Sequence, residues 1–130
     1  MKVNELVEKV LNGENLNDLN INDYVSIEDK KNIAIEVLED CVDNNNGYLH
    51  IDHFKEDVCF TVAMLREYFH IEFSYLFDDM LYEYDELCKY GIVEMLIDVV
   101  KRDYKRAKEI LEHEEKNLVA SISDKANVGE

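Results

Sequence analysis

The sequence predicts an all-α fold, a compact bundle of about five helices with a long C-terminal amphipathic helix. Three observations predict it. The chain contains no proline, so no residue forces a helix to break by removing a backbone donor. Apolar residues recur every three or four positions over most of the length, the spacing of one helix face. A balance of 47% apolar and 34% charged residues is globular, and 130 residues can bury a core within one domain.

The elements follow in chain order. "KVNELVEKVLNG" places Val3, Leu6, Val7, Val10 and Leu11 on one face, with Gly13 as the C-terminal stop. The asparagine-rich "ENLNDLNINDYV" favours turns, because short polar side chains compete for backbone hydrogen bonds. Its Leu16, Leu19, Ile21 and Tyr24 are expected to pack back on the body. "SIEDKKNIAIEVLEDCVDNN" reads as a helix, N-capped by Ser26, with Asp29 in capping-box position. The stretch through Gly47 and "YLHI" reads as a helix stop and a short extended link.

A further helix starts after Asp52. Phe54, Val58, Val62, Leu65 and Phe69, widened by Cys59 and Ala63, make it the expected central helix. Residues 70–91, aromatic and acidic together, suggest one or two short helices ending at Gly91. From Ile92 to Ile122 no glycine intervenes. Leu96, Val100, Tyr104, Ala107, Leu111, Glu114, Leu118 and Ile122 keep near-helical spacing along one long helix. Its first half is broadly apolar, and its second carries a narrow stripe that suits a helix seam. Residues 1–122 are read as one helical domain and 123–130 as a flexible tail.

Charge narrows the function classes. The net charge is −16. Residues 1–100 hold 23 acids and 7 bases, whereas residues 101–130 hold 7 of each. "KRDYKRAK" at 101–108 is the basic exception. An acidic body repels nucleic-acid phosphates, so direct nucleic-acid binding is not expected. It suits a basic protein partner or plain solubility. No apolar stretch reaches the ~18 residues of a membrane span, and the charged N-terminus lacks a signal-peptide core. A cytoplasmic protein with no membrane partner is expected. Cys41, Cys59 and Cys88 are odd in number and lie within apolar patterns, which predicts reduced, buried thiols.

"DNNNGYLHIDHF", residues 43–54, has the composition of a metal loop. A calcium hand with Gly47 at its sixth position would place Val42 first and His53 twelfth, losing both end ligands. Starting at Asp43 misplaces Gly47 and puts Phe54 twelfth. His50, Asp52 and His53 have donor types that suit zinc, but Asp52 is better explained as a helix N-cap. "HEEKN" at His113 lacks the second histidine of a zinc-protease motif, and the glycines do not cluster into a phosphate loop. The reading therefore assigns no catalytic residue, cofactor or metal ligand.

The eight tyrosines among the acids point to protein recognition. Tyr75, Tyr82, Tyr84, Asp85, Tyr90, Tyr104, Leu111 and Leu118 are the candidate partner-binding residues. "DYVSIEDKKNIAIEVLEDC", "HIDHFKEDVCFTVAMLREYF" and "YDELCKYGIVEMLIDVVKRDY" together resemble small acidic helical proteins of bacteriophages of low-GC Gram-positive bacteria. The resemblance spans most of residues 22–120. It implies a virion-assembly or accessory role, with phage structural partners or virion association, and carries no activity. The expected function is a non-catalytic protein-interaction module, self-associating if the C-terminal stripe is a seam. The alternative is an acidic nucleic-acid mimic that inhibits a host DNA- or RNA-binding or defence protein.

Overall fold

The computed structural model describes residues 1–16, 19–45 and 48–128. They form six helices and one small hairpin: α1 Val3–Leu11, α2 Ile27–Cys41, β1 Val42–Asn45, β2 Tyr48–Ile51, α3 His53–Phe69, α4 Phe77–Lys89, α5 Ile92–Val99 and α6 Lys101–Val128. The all-α bundle with a long C-terminal helix is therefore present. No helix among the described residues is long and apolar enough to cross a membrane.

Local signals set several boundaries. Ser26 Oγ accepts from the Asp29 amide at 3.1 Å and starts α2. Asp52 Oδ1 accepts from the Lys55 amide at 3.1 Å and starts α3. Gly13 lies just beyond α1 with φ +68°, and Gly91 separates α4 from α5 with φ +69°. Both sit in the left-handed region, where a side chain costs energy. His70 caps α3 in the same region at φ 54° without being glycine.

Two expectations are corrected. First, α2 stops at Cys41, well before Gly47, which lies outside the described residues. Instead, β1 and β2 pair antiparallel with Val42 opposite Ile51, and the Asp52 amide closes the base on the Cys41 carbonyl at 3.0 Å. The ladder satisfies backbone groups that the helix end would otherwise leave open. Second, the helix expected over 92–122 breaks at Val100, whose ψ of 26° and bond from its amide to the Ile97 carbonyl end α5 in a tight turn. Val100 is then buried while Val99 faces solvent. No breaker residue is needed, because α5 packs on α4 whereas α6 packs on α2, and one straight helix cannot do both. The helix of α6 is drawn to Val128.

The core lies where α2 and α3 meet, with α6 packed on α2, α4 packed on α3, and α1 and α5 both packed on α4. Leu6, Ala34, Val62, Leu65, Leu87, Ile92 and Ala107 are fully buried in it. Of the expected α3 stripe, Val58, Val62, Leu65 and Phe69 are buried, but Phe54 is exposed. The loop before α2 packs as expected through Leu16 and Leu19, while Ile21 and Tyr24 stay exposed and Val25 is buried in their place. The chain start is tied in as well: the Glu72 amide donates to the Met1 carbonyl at 2.8 Å.

Candidate interaction surface

The eight candidate residues do not form one patch. Tyr75 is 97% exposed, and Tyr82 and Asp85 are also exposed. Tyr84 turns inward, and burial, with Cys88 beside it, pushes its hydroxyl up to about 12. Tyr90 packs partly on the core. Tyr104 packs its ring against Phe60 with centroids 5.5 Å apart, and its hydroxyl meets Thr61 Oγ1 at 3.3 Å. Leu111 is buried in the chain's own core, so it presents nothing to a partner. Leu118 is half-buried and lines a shallow groove with Ile35, Leu38 and Val42. The stripe's end at Ile122 has no described side chain.

The segment that carries Tyr75 is anchored on both sides. Ile71 and Phe73 are buried. Arg66 Nη2 donates to the Ser74 carbonyl at 3.1 Å, and the Ser74 amide donates to Glu83 Oε1 at 2.8 Å. The Arg66 guanidinium lies 5.9 Å from the centre of the Tyr75 ring, within cation–π range. Tyr75 and the 72%-exposed Leu76 thus project from a fixed turn. They line a groove of about 520 Å³ with Ile33, Val37, Cys59, Ala63 and Met80, and with three acids, Glu36, Asp40 and Glu67, beside two bases, Lys55 and Arg66.

Beneath a second groove lies a polar cluster that the sequence reading missed. Lys30 is only 1% exposed. Its ammonium donates to the Val25 carbonyl at 2.7 Å, pairs with Asp103 Oδ2 at 3.1 Å and sits 4.5 Å from the Tyr24 ring centre. The same Asp103 oxygen accepts from the Val25 amide at 3.1 Å and from the Tyr68 hydroxyl. Burial alone would raise the Asp103 carboxyl, but the Tyr68, Val25 and Lys30 contacts outweigh it and hold the group low. Burial, then the bond to Asp103, pushes the Tyr68 hydroxyl above its usual range. One signal was available: Lys30, Ala34, Val37, Leu38 and Cys41 share one helix face, so a lysine stands at a core position. The groove above it, about 720 Å³, takes in Arg102, Lys105 and Arg106, the basic segment of α6.

The histidine loop is also rearranged. His50 lies on β2, opposite Asp43 in the ladder, and Asp52 serves as the α3 cap, so His50, Asp52 and His53 are not gathered into a site. His53 instead meets two glutamates: its Nδ1 is 3.5 Å from Glu115 Oε1 and 3.8 Å from Glu56 Oε2. Burial and the neighbouring Glu115 push the Glu56 carboxyl up. The thiols are not all buried as expected. Cys41 is, Cys59 is half-buried and Cys88 is exposed. Burial, then the adjacent Cys59, pushes Cys41 up to about 12, well away from thiolate chemistry.

No protein-family model, curated protein or solved structure matches the chain.

Proposed function

We propose that this chain is a non-catalytic protein-interaction module, a phage assembly or accessory protein, that binds through the groove beside Tyr75. The exposure of Tyr75 and Leu76 on an anchored turn carries the reading. An aromatic and a leucine held in water beside an apolar floor give contact area without an ordering cost on binding. Glu36, Asp40 and Glu67 outnumber Lys55 and Arg66 around the groove, and with the chain's net charge of −16 they favour a partner segment with apolar and basic side chains. Phage origin rests on the sequence resemblance alone.

Affinity capture from the native host with the wild-type chain and with a Tyr75→Ala, Leu76→Ser double variant tests the groove. A discrete partner should be retained by the first and lost by the second, with melting temperature not lowered, because both side chains are solvent-facing and serine is a better N-cap for α4 than Leu76. A partner held equally by both would remove the groove from the proposal.

The second reading, mimicry of nucleic acid, draws on Asp78, Asp79 and Asp85, all exposed on α4. Salt separates the two. Binding through apolar contacts should change little between about 50 and about 300 mM salt, whereas an interface of many carboxylates on a nucleic-acid site should weaken by orders of magnitude.

A further inference from the structure

Glu56 lies in the first turn of α3 and keeps 12% of its side-chain exposure. Its Oε2 is fully enclosed and accepts no hydrogen bond. The 3.8 Å to His53 Nδ1 is too long for one. A second carboxylate, Glu115 of α6, reaches the same point, so that donor atoms from His53, Glu56 and Glu115 all lie within 4.8 Å of one another. Like charges drawn together in a partly desolvated place are unfavourable unless a shared proton or a cation joins them, and the Glu115 contact already pushes the Glu56 carboxyl up, toward its protonated form. Lys108, paired with Asp57 at 3.6 Å, offsets the Glu56 charge only as the weakest of the influences on it. His53 is 71% exposed, so its imidazole can turn toward the carboxylates or away from them.

From this geometry we infer that His53, Glu56 and Glu115 form a binding site for a divalent transition cation, with zinc the best fit. The donor set decides the class. One imidazole with two carboxylates suits zinc and its neighbours, while calcium and magnesium favour oxygen donors throughout. Size agrees. Donors about 2.1 Å from a tetrahedral ion stand roughly 3.4 Å from each other, close to the 3.5 and 3.8 Å separations found here. Neutral His53 would offer the Nδ1 lone pair, and the enclosed Glu56 oxygen would gain the partner it lacks. Three protein ligands leave one position open to water or to a group from another molecule. In the fold the ion would clamp the start of α3 to α6 four residues beyond the buried Leu111.

The test starts from chelator-stripped full-length chain. Titration with zinc should give one ion per chain, and melting temperature should rise by on the order of 10 °C at a hundredfold excess over Kd. His53→Ala and Glu115→Gln should each weaken zinc binding at least tenfold, with His50→Ala and Glu112→Gln as controls that bind like wild type. Glu56→Gln guards against a mere folding defect. Without metal it should melt at or above the wild-type temperature, since it removes an unpartnered buried carboxylate, and it should lose the zinc-dependent rise. The inference is overturned if zinc fails to bind stoichiometrically, if His50→Ala rather than His53→Ala abolishes binding, or if calcium stabilises the chain as well as zinc does.

Discussion

Lys30 and Asp103 define the chemistry at the scale of single residues. A buried ion pair seldom adds net stability, but losing one partner is expensive because the other charge stays in a dry place. The two sides are unequal. Without Lys30, Asp103 keeps the Tyr68 hydroxyl and the Val25 amide and remains partly solvated. Without Asp103, the enclosed Lys30 ammonium keeps only the Val25 carbonyl and the Tyr24 ring. Asp103→Ala should therefore cost about 3–5 kcal/mol, and Lys30→Met less than about 2 kcal/mol, measured by urea unfolding. Equal costs would mean that the pair is not the organising feature. The pH dependence has a definite sign. The Asp103 carboxyl lies below its ordinary 3.8 in the folded chain, so its contribution is whole above that value and is lost as pH falls through the lower folded value. Acid unfolding traceable to Asp103 should begin below about pH 4 and should be flattened by Asp103→Asn.

At the scale of the element, two left-handed positions predict opposite effects. A Cβ placed on Gly91 would meet no atom within 4 Å, so Gly91→Ala carries only the backbone penalty, about 1–2 kcal/mol. His70 already bears that penalty at φ 54°, and its structural contact with the chain terminus is made by its carbonyl at 3.2 Å from the Met1 ammonium. His70→Gly keeps that carbonyl and should be neutral or stabilising by about 0.5–1 kcal/mol. Thermal and denaturant unfolding of the two variants check this. A destabilised His70→Gly would reveal a side-chain role for His70. The turn at Val100 belongs to this scale too. Val99 and Val100 are β-branched and tolerate leaving the helix, and burial of Val100 fixes the point of departure.

For the whole molecule, the question is what remains uncovered once the bundle closes. The stripe that runs along α6 is spent on the chain's own core through Ala107, Ile110 and Leu111, which leaves Leu118 and the exposed Val119. Self-association through this helix would rest on that short remainder and on the groove with Ile35, Leu38 and Val42. Light scattering at high concentration tests it with Leu118→Asp, which leaves the core intact. A dimer abolished by this change supports the seam, and a wild-type monomer at every concentration rejects it. Leu111→Asp cannot serve, since a buried aspartate would unfold the domain instead.

The sequence by itself determined the helical class, the Ser26 and Asp52 caps, the stops at Gly13 and Gly91, and the buried run from Val58 to Phe69 in α3. Each is a short-range signal in which a residue acts on a backbone at most four positions away, so one chain suffices to read it. The tertiary structure alone decided the rest. The bond between the Val25 amide and Asp103 spans 78 positions, and His53 and Glu115 meet only because α6 returns past the start of α3. It also decided that Leu111 faces inward while Tyr75 faces water, since both have similar apolar surface and only the packing of neighbouring helices distinguishes them. Helical periodicity records which residues share a face, but the partner that covers the face is set by how the helices dock.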